Sequence, residues 1–366
     1  MTAPHNTGVM WNLDVFVGYI ASQMQHRGNA MNRLRQGNWV QELTLAALLT
    51  LGCGMPALVV AAANDCDRAC MRGVLDQYLD AVFRHDATRA PLAANARATE
   101  NAAPLANGAG VWRSVTGYGP VQRRYFDVPE GQAAYFGILN EGASPTVVSL
   151  RLKISSRRVT EAEWTIARKD AGGLFSIEGL IAVPPRPDDV LPAGQRTSRA
   201  QLISLANAYF DGVEQHDGSR VPKIDGCERV ENGVKVTHRP RSTPLGAIPG
   251  TAPAPAPAAV PAANTPGAAQ EEISGDCTAG LEIFKTSIAK AAHRRFPVVD
   301  EEAGVVMGTT IFHRPPGHTM KRNLLTEYFY GQEGKIAAIY AAMYYLDPAA
   351  PDNPGWPTDS VATTSR

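Results

Sequence analysis

The chain has 366 residues, 44% of them hydrophobic, and its 35 Lys+Arg balance its 35 Asp+Glu. That length supports two ordinary hydrophobic cores, and the charge balance gives no bias toward nucleic acid or an anionic membrane. The pairs Arg123-Arg124, Arg157-Arg158 and Arg294-Arg295 are isolated, and such pairs form solvated faces rather than phosphate tracks.

Residues 1–30 read as an upstream extension, expected to be disordered. From Met31, basic Arg33 and Arg35 precede an apolar run from Leu43 to Val60, which ends in Ala61-Ala62-Ala63 before polar Asn64-Asp65. This is the pattern of a secretory signal over 31–63, and it implies a secreted or periplasmic protein with no membrane contact once the signal is removed. Glu42 and the length of the run keep an uncleaved anchor as the alternative, and Leu51-Gly52-Cys53 is a weak lipoprotein signal.

Export changes the meaning of the cysteines. Loss of the leader removes Cys53 and leaves Cys66, Cys70, Cys227 and Cys277 in an oxidising compartment, with three pairings open. Cys227 and Cys277 bracket a Pro/Ala-rich tract, so a bridge between them closes a long loop and gains most in the chain-entropy model. Cys66 with Cys70 then follows by elimination; two free thiols are the alternative, because that spacing is awkward for a bridge. No second Cys/His pair stands at zinc spacing, and neither metal nor organic cofactor is expected.

The stretch YLDAVFRHDATRAP from Tyr78 returns as YFDGVEQHDGSRVP from Tyr209, and in both copies Glu-Asn follows nine residues after the proline. One domain therefore occurs twice, over 64–183 and 198–346, joined by a Pro- and Asp-rich linker at 184–197 and followed by a tail at 347–366. Each copy opens with an amphipathic helix: Cys70, Val74, Leu75, Tyr78, Leu79 and Val82 share one face, as do Leu202, Leu205, Ala206, Tyr209, Phe210 and Val213. Asn64 or Asp65 is the expected cap of the first helix, and Ser198 with Gln201 that of the second. The repeated His85-Asp86 and His216-Asp217 fall at the helix exits, where a cation meets the negative end of the helix dipole and Asp suits a turn; a His-Asp acid-base pair is the rival reading.

Strands follow. Thr146–Ile154 alternates apolar and polar residues, turns at Ser155–Arg158 and returns through Val159–Arg168; Asn323–Tyr330 and Lys335–Tyr345 form the matching hairpin of the second copy. Residues 241–270, rich in Pro and Ala, form a disordered insertion before a helix expected over Ala279–Ala292. The fold class is α+β: two tandem cone-shaped domains, each with helices packed on a curved, mostly antiparallel sheet.

The segments YLDAVFRHDATRAPLA, TEN, GVWRSVTGYG, YFGIL and LRLKISSRRVTEAEWTIAR resemble the nuclear transport factor 2-like, or SnoaL-like, cone fold. With CERVENG and RRFPVVDEEAGVV, the tandem arrangement also resembles secreted bacterial and fungal proteins that carry a domain of unknown function. The resemblance implies an apolar pocket between helices and sheet, polar groups projecting inward from the last strands, and association through sheet faces, between the two copies or in a homodimer. Related cones serve as isomerases, dehydratases, cyclases, epoxide hydrolases and plain binding modules.

On that expectation Glu161 and Glu163, two apart on the last strand of the first copy, share a face with Thr165 and offer a carboxylate pair, in which one acid keeps a proton while the other abstracts one. A solvated strand face is the plain alternative. Tyr125 or Tyr135 would donate to an oxyanion, and Arg113 or Arg124 would fix an anionic group. Trp164, Tyr328, Tyr340 and His313 complete the expected binding residues, and Ala337 and Ile339 are aligned with the two acids in the second copy. That copy instead carries Asp300-Glu301-Glu302, His313 and His318 around a Pro-Pro-Gly turn, and Glu327 between aromatics. Two readings result: an exported lyase or isomerase acting on a small apolar or aromatic molecule, and a non-catalytic ligand-binding or assembly module.

Overall fold

The Asp67 carboxylate opens the first helix by accepting from Cys70 N at 2.8 Å, so the cap is neither Asn64 nor Asp65. The computed structural model describes residues 65–183, 190–238, 275–350 and 355–356. The upstream extension, the signal segment with Cys53, the insertion at 241–270 and most of the tail lie outside them. All described residues belong to one compact unit that begins at Ala61.

Helix α1 (Arg68–Phe83) buries Met71, Val74, Leu75, Tyr78, Leu79 and Val82, the stripe that three-to-four spacing dictates. Strands β1 (Leu92–Glu100) and β2 (Ala103–Pro104), the single turn α2 (Val111–Ser114), and strands β3 (Gly117–Asp127), β4 (Gln132–Glu141), β5 (Ser144–Ser155) and β6 (Arg158–Ala167) complete the first body. After α3 (Ile177–Ala182), a short helix that the sequence pattern did not announce, the plan repeats: α4 (Arg199–Gln215), β7 (Lys223–Glu231), β8 (Val234–Lys235), β9 (Lys290–Asp300), β10 (Val305–His313), β11 (Arg322–Gln332) and β12 (Lys335–Leu346). The sheet orders are β2-β1-β6-β5-β4-β3 and β8-β7-β12-β11-β10-β9. In each, only the first long strand and the last pair in parallel.

The helix expected over Ala279–Ala292 does not form. A 3-10 segment, Leu281–Thr286, leads instead into β9, whose Ala291, Ala292, Phe296, Val298 and Val299 are buried. Tertiary pairing with β10 overrides the helix propensity of the alanines, and Pro297 is tolerated because β9 is an edge strand with a register shift beside it.

At both helix exits the histidine takes a left-handed conformation, φ 55° at His85 and 58° at His216. The His85 ring donates to Trp112 O at 2.7 Å and the His216 ring to Ile288 O at 2.8 Å, while Asp86 and Asp217 accept from Thr88 N and Ser219 N. Each pair stops a helix and starts a turn. Its two side chains serve different backbone groups, so no His-Asp acid-base pair is assembled.

The two sheets pack face to face within the chain. Tyr125, Ala134, Phe136 and Val147 of the first meet Val298, Met307, Tyr328 and Tyr340 of the second. A reciprocal pair of buried carboxylates fixes their relative placement. Asp127 accepts from Val299 N at 2.8 Å and pairs with Arg199, the first residue of α4; Asp300 accepts from Phe126 N at 2.8 Å and pairs with Arg68, the first residue of α1. Each body thus caps the other with equivalent residues, the self-complementary logic of a two-fold dimer inside one chain.

Both expected disulfides are present, Cys66–Cys70 and Cys227–Cys277, each with a Cα separation of 5.1 Å. The second joins residues 50 apart. Replacing Cys227 and Cys277 with Ala is expected to lower unfolding free energy by about 4 kcal/mol, the chain-entropy value for such a loop. Denaturant unfolding of the two forms measures it.

Candidate functional site

The β6 face that carries Glu161, Glu163 and Thr165 points at the second sheet rather than into a pocket. Glu163 is buried between two cations, with Arg151 Nε at 2.9 Å and Arg295 Nη1 at 3.1 Å. Glu161 takes the far nitrogen of Arg151 at 2.9 Å. Burial by itself would push the Glu163 carboxyl up, but the charges of Arg295 and Arg151 outweigh it and hold the group below the usual carboxylate range. The two acids therefore grip arginines and do not share a proton. The described part of the tail closes over this array: Trp356 donates to Thr99 Oγ1 at 2.9 Å, and the guanidiniums of Arg97 and Arg151 lie 4.0 and 4.7 Å from its ring centre.

The other sequence candidates are dispersed. Tyr125 bonds to the Tyr330 hydroxyl, Tyr328 to Ser149 Oγ at 2.7 Å, and Tyr340 donates to Glu228 at 2.7 Å, all inside the contact between the sheets. Tyr135 donates to Ile138 O at 3.2 Å within the first body. Arg113 donates to Gly108 O, and Arg124 pairs with Asp76 of α1 at 2.8 Å. Trp164 fills the first core, and the His313 ring stands 6.2 Å from that of His293. Among the described residues, no group of three His, Cys, Asp or Glu side chains could hold a metal ion.

The helix-covered side of each sheet tells the two bodies apart. Strand pairing places Glu100, Trp164, Leu150 and Tyr135 in one row across the first sheet, and Glu231, Ala341, Glu327 and Gly308 in the equivalent row of the second. By the same register the partners of Glu161 and Glu163 in the second body are Ala338 and Tyr340, not Ala337 and Ile339. Both last strands carry the same one-residue register shift, so the slip arises at the turn: Ser155 pairs Arg158 and Gln332 pairs Lys335, and matching Ser155–Arg158 to Gly331–Gly334 instead moves every residue by one and swaps faces.

In the first body the row is full. Trp164 and Tyr135 are completely buried, and Trp164 donates to the Tyr78 hydroxyl at 3.4 Å. In the second, Tyr209 holds the place of Tyr78, but its hydroxyl accepts from Arg229 Nη1 at 3.0 Å. Phe210 and Phe329 occupy the room above Gly308. Arg229 Nη1 also donates to Cys277 O at 3.2 Å, and its Nε lies 3.1 Å from Glu231 without forming a hydrogen bond. The Cys227–Cys277 bridge thus anchors Arg229 from both its own strand and the facing loop.

Glu327 faces this cluster. It is 1% exposed, and its Oε2 has no hydrogen-bond partner. Burial, reinforced by the Glu231 charge and only partly offset by Arg229, pushes its carboxyl from 4.5 to about 8. At neutral pH it is mostly an acid with its proton on. On the same side of the sheet lies a cavity of about 80 Å³, whose walls include Tyr209, Glu231, Arg314, Asn323, Leu325 and Tyr345 but not Glu327 itself. Asn323, Leu325 and Glu327 alternate on one face of β11, so Glu327 is the next residue on that face beyond the two that line the cavity. A larger surface groove of about 710 Å³ runs along the linker and the β11–β12 turn, past Arg196 and Glu333, but Arg196 is paired with Glu302 and the groove lacks a perturbed acid.

Glu327 had a sequence signal, an acid between aromatics in a strand whose second neighbours are Leu325 and Phe329. Arg229 and Arg314 had none beyond their charge. A family model described as "Domain of unknown function (DUF8021)" matches residues 195–343, the span of the second body. No curated protein matches the chain.

Two outcomes follow from these environments. Glu163→Ala leaves buried Arg295 without its carboxylate and is expected to cost roughly 3–5 kcal/mol, read by denaturant unfolding. For Glu327, the folded form holds its proton more tightly than the unfolded chain. Its contribution is therefore complete below pH 4.5 and is lost as pH rises to about 8. At about 1.4 kcal/mol per pH unit, the stability of the protein relative to Glu327→Gln should fall by on the order of 5 kcal/mol across that window. Paired unfolding curves at several pH values measure the difference.

Proposed function

We propose that the protein is an exported small-molecule-binding protein, that its two bodies are nuclear transport factor 2-like cones, and that the ligand site is the hollow of the second. The two disulfides suit an oxidising compartment, and a helix laid over one face of a six-stranded sheet suits the cone. Glu327 carries the reading for the site. An acid with an unpartnered oxygen costs stability where Leu150 of the first body costs none. A ligand that hydrogen-bonds there gives the cost a purpose.

The same group supports lyase or isomerase chemistry as a second reading. A general acid or base works best when its pKa lies near the operating pH, and Glu327 at about 8 meets that condition where Glu161 and Glu163 do not. Tyr209 and Arg229 would steady the developing charge.

The test is a screen of small polar fragments by methyl-detected NMR, with Met320, Met343, Leu174 and Leu325 as reporters in the cavity wall. Hits are expected to shift those methyls and to be lost in Glu327→Leu, which copies the first body and should melt at a higher temperature. Hits that bind the variant equally well, or that move only methyls elsewhere, contradict the reading.

A further inference from the structure

The two disulfides differ in how far solvent reaches them. Among the described cysteines, Cys66, Cys227 and Cys277 are completely buried, while Cys70 is half-buried. A thiolate must reach a disulfide sulfur to break the bond, so the folded protein shields Cys227–Cys277 on both sides. Cys66–Cys70 is open on one side, at the first turn of α1.

They also differ in what they hold. The chain-entropy gain grows with the loop a bridge closes, and the sequence separations are 4 and 50. The Cys277 carbonyl further anchors Arg229, whereas the short loop carries Asp67, the cap of α1, and Arg68, the partner of Asp300. The second body performs those two tasks without a bridge. There Thr197 and Gln201 stand in the places of Cys66 and Cys70, Ser198 caps α4 by accepting from Gln201 N, and Arg199 pairs with Asp127 at 2.8 Å. A bridge so short, open to solvent and dispensable to the contact around it is poorly explained by stability.

We infer that Cys66–Cys70 is a thiol-exchange site, opened at Cys70 by a low-molecular-weight thiol such as glutathione and closed again by Cys66. The incoming thiolate attacks Cys70 Sγ, the S–S bond breaks, and its electron pair leaves on Cys66 Sγ, which takes up a proton. A second thiolate then attacks the small-molecule sulfur of the mixed disulfide, and Cys70 departs and is protonated. Two small thiols are thereby oxidised to their disulfide, and the cystine is reduced to two cysteines. In the reverse direction Cys70 attacks the small disulfide, and Cys66 displaces the remaining small thiol from Cys70. The positive end of α1 favours the departing thiolates, and the Asp67 carboxylate, which would oppose them, is engaged by Cys70 N at 2.8 Å.

The full chain is equilibrated at about pH 8 in graded mixtures of reduced and oxidised glutathione, quenched with an alkylating agent, and each cysteine is located by sequencing mass spectrometry. Cys66 and Cys70 are expected to reach half reduction at a ratio of squared reduced to oxidised glutathione at least tenfold lower than Cys227 and Cys277, with the helical circular-dichroism signal retained. From oxidised glutathione, the adduct on Cys70 in Cys66→Ser is expected to form at least tenfold faster than the adduct on Cys66 in Cys70→Ser. Because each serine variant removes the bridge, the two midpoints in the unaltered chain are the deciding measurement. Midpoints within tenfold of each other, or earlier reduction of Cys227–Cys277, overturn the inference. Loss of the helical signal as Cys66–Cys70 opens overturns it too, since the bridge would then be structural. Adducts that form within tenfold of the same rate, or faster on Cys66, overturn the assignment of Cys70 as the attacked sulfur.

Discussion

The reciprocal capping of Asp127 and Asp300 across the two sheets is the constraint on which the rest depends. Each carboxylate is completely buried and is satisfied by a backbone N–H and an arginine of the opposite body. Separation of the bodies would part both carboxylates from two backbone N–H groups and two arginines. Around this pair the outer faces of both sheets are committed to each other, including Glu163 with Arg295, Thr165 with Thr326 and Ser149 with Tyr328. Within the described residues, each sheet's other face is the one its helix covers, and that is where the two bodies differ.

Duplication supplies two equivalent hollows, and side-chain volume decides their fates. Trp164 and Tyr135 fill the first, and the hydroxyl of Tyr78 needs only an indole partner. Ala341 and Gly308 replace those aromatics in the second. Phe210 and Phe329 reclaim part of the space, and Arg229, Glu231 and Glu327 bring charge into what remains. A core that trades a tryptophan for a buried ion pair and an unpartnered acid gives up packing and gains unsatisfied polarity. Such an exchange is unfavourable for folding alone and is the kind of local conflict that marks functional positions. The Cys227–Cys277 bridge offsets part of it and fixes Arg229 through the Cys277 carbonyl.

How far the fold was legible varies with the element. The two long helices could be placed because their apolar stripes outweigh every other signal, and the last hairpins because Thr146–Ile154 alternates and the Gly331–Gly334 turn is distinct. The strand at Lys290–Asp300 was not, because Ala279–Ala292 favours helix locally and only the partner strand β10 reverses that preference. The acids Glu161 and Glu163 were correctly assigned to one face. Nothing along the chain says whether that face meets a ligand, water or another sheet, since alternation records only that two sides exist. Glu327 carried a trace of its setting in its apolar neighbours, whereas Arg314 meets the carbonyls of Ser287 and Lys321 only once the loop is folded.

By itself, the sequence determined the duplication and the α+β plan and favoured the Cys227–Cys277 bridge, because repeats, periodicity and cysteine spacing are local or countable properties of a chain, while the folded chain closed the Cys66–Cys70 bridge that the sequence left open. The tertiary structure alone decided which sheet faces are consumed in the contact between the bodies, which hollow is filled and which acid keeps its proton. Those outcomes depend on desolvation and on the distances between residues far apart along the chain, such as Arg295 and Glu163 or Glu327 and Glu231. Neither quantity exists until the chain has folded.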